Sequence, residues 1–125
     1  MAAASTARRR RDDLEVVALE KDTRTSYSAC GIPYHVGGLV PDLDDLVART
    51  PQEFRDRQRI DVRLRSEAVA IDLADRSVEV RDHEHERSYR LGFDQLLIGT
   101  GARPVRPPLP GIDEPWVRGV QNLDD

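Results

Sequence analysis

The run Leu14-Glu15-Val16-Val17-Ala18-Leu19, closed by Glu20, is the feature that most limits what this chain can fold into. It is too short for a core helix, and its last four apolar residues do not alternate with polar ones. It therefore reads as a parallel strand covered on both faces. Ahead of it stand Ala2 to Ala7, small helix formers, and then Arg8 to Arg11, cations at the end where a helix dipole favours them. Asp12-Asp13 makes the turn between the two. A helix that leads into a parallel strand belongs to a crossover unit, and crossover units build α/β sheets.

In nucleotide-binding crossover units the strand after the first helix ends in an acid that holds a ribose hydroxyl. A glycine-rich phosphate turn lies about 20 residues before that acid. Glu20 fits the acid. Counting back from it reaches Met1 with no G-x-G-x-x-G on the way. The expectation is a doubly wound, Rossmann-like sheet entered inside its crossover helix, with residues 1–11 as the helix remnant. Its first strand and glycine fingerprint are then missing, and a gap falls at the centre of the sheet.

The segment Ser26-Tyr27-Ser28-Ala29-Cys30-Gly31-Ile32-Pro33-Tyr34 holds the only cysteine. Gly31-Ile32-Pro33 predicts a helix start, with Pro supplying a preset φ in the first turn. A sulfur beside the unpaired N–H groups of a helix N-terminus is favoured as thiolate, the reactive form; the alternative is a buried, inert cysteine. One cysteine excludes an intramolecular disulfide and fits a reducing, cytoplasmic setting. A net charge of -4 gives no global field for nucleic acid, including through Arg8 to Arg11. No apolar run approaches the roughly 18 residues of a membrane span. The acid-free, Ala-, Ser- and Arg-rich start also suits a transit peptide, but the helix reading is preferred.

Further on, Thr50-Pro51-Gln52-Glu53 is a capping-box pattern that predicts a helix from Pro51 to Arg57. Arg55, Arg57 and Arg59 could face an anion or simply solvent. From Asp61 the pattern turns to period two, with Val62 and Leu64, then Val69, Ile71 and Leu73. The parity change near Ser66-Glu67 predicts a bend or bulge. A turn at Asp75-Arg76 and strands at Ser77–Arg81 and Ser88–Leu91 complete a β-meander over 61–91. His83 and His85 sit among acids at its tip, without a third metal ligand. Gln95–Ile98 predicts a buried strand ending in Gly99-Thr100-Gly101-Ala102, where a ligand could approach the backbone. Residues 103–115 hold five of the eight prolines, a semi-rigid linker. A content of 38% hydrophobic against 34% charged residues is lean for a sheet buried on both faces.

Together these pieces resemble the FAD-dependent pyridine nucleotide–disulfide oxidoreductases, in the branch with one redox cysteine. That branch contains coenzyme A disulfide reductases, NADH oxidases and NADH peroxidases. The resemblance runs through Glu20-Lys21-Asp22, the cysteine segment with Gly37, Arg49-Thr50-Pro51, Gly99 to Pro104, and Pro107 to Ile112. His35 stands where two-cysteine relatives carry the second thiol of C-x4-C. The resemblance implies a partial FAD-binding domain over 1–115. Residues 116–125 then begin the connection to an NAD(P)H domain outside the chain, and the homodimer-forming domain is also outside it. By resemblance Glu20 binds the adenosine ribose, Lys21 lies beside the adenine, and Val69 offers it backbone contacts. Thr100 and Gly101 pass the flavin nucleotide, Cys30 faces the flavin, and Arg9 and Ser26 contact coenzyme A. No metal is implied. Electrons would pass from NAD(P)H through FAD to Cys30, and on to a disulfide, with coenzyme A disulfide favoured. A peroxide handled through a sulfenic acid is the alternative, and so is a non-catalytic thiol fragment without flavin. Ala29 replaces the Asn common before the cysteine in coenzyme A disulfide reductases, and Gln58 replaces a lysine. On this reading the 125 residues alone do not turn over.

Overall fold

Two four-residue strands carry the first part of the fold. In the computed structural model, which describes residues 1–125, β1 (Val16–Leu19) pairs in parallel with β2 (Ile60–Arg63), Val16 opposite Ile60 and Leu19 opposite Arg63. The ladder runs on past the strands: Glu20 N donates to Arg63 O at 2.9 Å, and Ser66 N donates to Glu20 O at 2.8 Å. Parallel neighbours need a long connection, and here it contains the cysteine segment and two helices, α2 (Ile32–Val36) and α3 (Pro51–Gln58).

Helix α1 (Ala2–Arg10) and helix α3 cover this pair. Phe54 of α3, Ile60 and Val62 form the buried cluster, with Met1, Ala4, Val16, Ala18 and Leu64 packed around it. The small side chains of α1 let it settle on the sheet, while Arg8 to Arg10 fill its last turn. Helix α3 starts with the expected capping box: Glu53 N donates to Thr50 Oγ1 at 3.2 Å, and Thr50 N donates to Glu53 Oε2 at 3.0 Å. It stops at Arg59, whose left-handed φ of 51° ends the helical ladder. The guanidiniums of Arg8 and Arg59 stitch the two helix ends together. Arg8 donates to Asp12 O and Arg59 O at 2.7 and 2.8 Å, and Arg59 donates to Asp12 O at 3.1 Å. Arg55 and Arg57 pair with Asp61 and Glu53. All three arginines are thus engaged within the chain, as a charged helix face.

A three-stranded antiparallel meander follows: β3 (Ser66–Asp72), β4 (Ser77–Asp82) and β5 (Arg87–Gly92). Two details differ from the sequence reading. Residues 61–63 belong to the parallel pair, so the meander begins at Ser66 and ends at Gly92. The parity change at Ser66 reflects a turn at Arg65, φ 50°, that carries the chain from one sheet to the other. The β-bulge lies later: Ala68 opposes Val80 and Ala70 opposes Glu79, leaving Val69 outside the pairing.

Both hairpins use one device. Asp72 accepts from Ala74 N and Asp75 N, and Asp82 accepts from Glu84 N and His85 N. In each case the residue four positions on, Arg76 or Glu86, takes a positive φ. An aspartate side chain replaces the backbone acceptor of the turn, which is why this residue type starts both. Arg63 joins the meander to the parallel pair, donating to Asp61 Oδ2 at 2.8 Å and Tyr89 Oη at 3.0 Å.

Gln95–Ile98, expected as a buried strand, is not one. No strand pairs with it, and Leu97 and Ile98 are 70% and 67% exposed. A short apolar segment becomes a strand only when neighbours take up its backbone groups, and none does. Residues 97–125 form, with 28–46, a second unit, and residues 1–27 and 47–96 form the first. They run as turns and irregular backbone, as five prolines dictate. Arg106 fastens this stretch to itself by donating to Ile112 O and Val117 O at 2.6 and 3.0 Å.

Asp82 provides a pH test. Desolvation of this 6%-exposed carboxylate opposes ionisation, but hydrogen bonds from Arg87, His85 and the His85 backbone outweigh it and hold its pKa at about 2. Its folded value lies below its unfolded one, so its contribution is complete above pH about 4 and vanishes as pH falls through about 2. Exposed Asp13, paired with Arg11, titrates in the same window. The Asp82 share is therefore the difference between the parent and Asp82→Asn in urea-unfolding midpoint between pH about 4.5 and 2. We expect a flatter acid limb for Asp82→Asn; parallel limbs would refute the assignment.

Candidate functional site

The cysteine segment is held by the chain that follows it. Tyr27 and Val47 form an isolated antiparallel bridge, and Ser26 O accepts from Ala48 N and Arg49 N at 2.8 and 3.2 Å. One residue on, Ser28 N donates to Leu46 O at 2.8 Å. Ser26 itself has a φ of 54°, a left-handed conformation that an L-residue adopts only when its surroundings fix it. The backbone leading to Cys30 is thereby set in direction.

Cys30 lies in a 3-10 turn, Ala29–Gly31, that runs straight into α2. Gly31 N closes the turn by donating to Ser28 O at 2.9 Å. Pro33 falls in the first turn of α2, as the sequence predicts. Helix α2 has only five residues, however, so it offers little aligned dipole to the sulfur ahead of it. What faces Sγ is the hydroxyl of Ser28, at 3.3 Å. Cys30 is exposed, unlike the buried cysteine of the alternative reading. His35 Nδ1 lies 2.7 Å from Val40 O. A carbonyl only accepts, so this nitrogen carries the proton and the ring is turned to the helix C-terminus.

Gly31 packs closely against Leu46. A Cβ built on it would stand 2.4 Å from Leu46 Cδ2, and both Gly31 and Leu46 are buried. Leu46 thus occupies the space beside the residue after the cysteine, and its own carbonyl holds Ser28. Sequence reasoning found Cys30 but missed Ser28 and Leu46. The Ser-x-Cys spacing was visible, yet only the 3-10 turn makes positions i and i+2 meet. The Leu46 contact needs the fold.

In the first unit, Glu20 and Lys21 stand at the C-terminal end of β1, while Val69 lies on β3 and Arg9 on α1. Glu20, half-buried, ends the strand, and its Oε1 accepts from Asp22 N at 3.1 Å. Lys21 Nζ is 3.6 Å from Asp22 Oδ1. Lys21 also stands near Glu67 of β3, whose carboxyl is held below the usual range by the hydrogen bond from His83 and, to a smaller extent, by the charge of Lys21. Val69, 39% exposed, is the bulged residue of the same strand. Arg9 is exposed on α1, its guanidinium donating to Thr6 Oγ1 at 2.9 Å. In the second unit Thr100 and Gly101 lie in irregular exposed backbone, Gly101 with a φ of 72°. His83 and His85 pair with Glu67 and Asp82 at 2.9 Å each, and no group of three potential metal ligands exists. No helix is long and apolar enough to cross a membrane.

A family profile for pyridine nucleotide-disulphide oxidoreductases matches residues 1–125. An NADH oxidase of Methanocaldococcus jannaschii is 30% identical over 122 residues, which is 98% of this chain and 27% of that protein. A coenzyme A disulfide reductase of Staphylococcus haemolyticus is 30% identical over 124 residues, again 98% and 27%. The solved structure of an NAD-dependent persulfide reductase from A. fulgidus superimposes with a TM-score of 0.87 at 33% identity, covering 98% of this chain and 23% of that one. The chain thus spans about a quarter of the length of the curated relatives it matches.

The Gly31–Leu46 contact can be tested by urea unfolding. Gly31→Ala should destabilise the chain by about 1–3 kcal/mol through overpacking. Adding Leu46→Ala should cost less than the sum of the two single changes, because the clash then has no second party. Simple additivity would mean that the two residues do not meet.

Proposed function

The chain belongs to the pyridine nucleotide-disulphide oxidoreductase family, and on that premise we propose that it supplies the adenosine end and the reactive cysteine of an FAD-dependent enzyme. That enzyme would pass electrons from NAD(P)H to a small disulfide, coenzyme A disulfide in the first instance. The observation that carries this reading is the sole cysteine, exposed on a loop whose direction is fixed by its bonds to Leu46. Within these 125 residues Cys30 has no second thiol to pair with, which suits exchange with a sulfur from another molecule. An exposed position admits a bulky one.

The residues present fit the adenosine half of FAD. Glu20 spends one carboxylate oxygen on Asp22 N, leaving the other to accept from ribose hydroxyls. The bulge leaves Val69 without a register partner on β4, and by resemblance its backbone would meet the adenine edge. Bound flavin would supply the step from hydride to electron pair that no side chain here performs. Thr100 and Gly101 are assigned to the flavin end by resemblance, and Arg9 and Ser26 to coenzyme A. Arg9, Thr100 and Gly101 are exposed, and Ser26 is half-buried.

At Cys30 the chemistry is thiol–disulfide exchange. The thiolate attacks one sulfur of the disulfide; a new S–S bond forms as the old one breaks, and the far sulfur departs as thiolate. A mixed disulfide remains on Cys30 and awaits two electrons. If the acceptor is instead a peroxide, the same thiolate attacks one oxygen: an S–O bond forms as the O–O bond breaks, the far oxygen departs as hydroxide or alkoxide, and Cys30 is left as a sulfenic acid. That alternative draws on the NADH oxidase among the relatives.

Two measurements test this reading. After incubation with excess FAD and removal of free flavin, the chain should keep a visible flavin band, and Glu20→Ala should cut the retained fraction about fivefold or more. A colourless parent protein would refute flavin binding by this chain. Intact-mass measurement after incubation with coenzyme A disulfide should find one coenzyme A per chain, absent in Cys30→Ser. An unmodified parent chain would rule out the disulfide reading, and a gain of oxygen only after peroxide treatment would favour the sulfenic acid.

A further inference from the structure

We infer that Ser28 is a positioning residue for Cys30, its hydroxyl holding the sulfur and favouring the charged, nucleophilic form. This role rests on Cys30 being the reactive group of the proposed function. The Ser28 Oγ to Cys30 Sγ distance of 3.3 Å is within hydrogen-bond range for sulfur. Ser28 does not reach the sulfur by chance rotation of a loose loop. Its N–H is taken by Leu46 O at 2.8 Å and its carbonyl by Gly31 N at 2.9 Å, so both its peptide groups are fixed. Its Oγ also lies 3.4 Å from where a Gly31 Cβ would stand, over the turn that carries the cysteine.

A hydroxyl can serve both protonation states. It accepts from S–H in the thiol and donates to the thiolate, and the second bond is the stronger because one partner is charged. A group that bonds the charged form better raises its share at neutral pH. During exchange the sulfur gives up that charge as its new S–S bond forms, and Ser28 returns to a neutral bond. With α2 only five residues long, this hydroxyl does what the helix start was expected to do.

The test is the rate of Cys30 alkylation by iodoacetamide on the full 125-residue chain, measured from pH about 6 to about 10, with Cys30→Ser as blank. Ser28→Ala should slow the reaction about threefold or more at pH 7 and leave it within about twofold at pH 10, where thiolate is plentiful in any case. Ser28→Thr should restore the parent profile. Equal rates for parent and Ser28→Ala, or a loss by the same factor at every pH, would overturn the role. Should Ser28→Ala not fold by circular dichroism, the shape-matched pair Ser28→Thr and Ser28→Val reads the same difference, and identical profiles for those two would overturn it equally. Neither flavin nor coenzyme A takes part in alkylation. A missing Ser28 effect with the coenzyme A adduct still forming removes this role alone. A normal Ser28 effect without the adduct removes the proposed function alone.

Discussion

Phe54, 2% exposed, with fully buried Ile60 and nearly buried Val62, is the contact on which the first unit depends. A four-residue parallel pair cannot stand in water by itself, because such pairs persist only with both faces covered. Phe54 supplies one cover, and the small residues of α1 settle around the same cluster. Burying one such side chain contributes roughly 1.5–3 kcal/mol, a large share of what a small unit commands. The capping box at Thr50 and the arginine stitches at Asp12 have their importance here. They hold α3 and α1 at the angle that keeps this cluster dry.

From that core the chemistry is placed by continuation of the chain. The β1 ladder delivers Glu20 and Lys21 to the end of the sheet, and the bond from Ser66 to Glu20 O starts the meander at the same end. The bulge then leaves Val69 without a register partner, on the strand that begins beside Glu20. The hairpin tips of the meander are closed by aspartates and carry charge to solvent. Asp82, His85 and Arg87 make a local lock there, and His83 pairs with Glu67.

The cysteine loop is governed by a different constraint. Ser26 takes a left-handed φ, Tyr27 bridges to Val47, and Ser28 bonds to Leu46, three successive residues fixed by three successive positions of the later chain. The Leu46 side chain then packs against the glycine after the cysteine. The result is an exposed sulfur on a backbone-held loop, with the Ser28 hydroxyl 3.3 Å away.

Much of this was legible in the sequence. The order helix, strand, cysteine turn, capped helix, meander follows from propensities, caps and periodicity that act over a few residues, and Glu20 and Cys30 stand out by type and spacing alone. What tertiary structure decided was pairing. Whether residues 61–63 joined the parallel strand or the meander depended on β1 being there to receive them. Apolar Leu96-Leu97-Ile98 became irregular, exposed chain because a strand is defined by its neighbours, which no local pattern contains. The bulge fell at Val69 because register is settled between strands. Ser28 and Leu46 emerged only when a 3-10 turn and a distant carbonyl brought them to the sulfur. Local rules fixed what each segment is; which segments meet was fixed by packing.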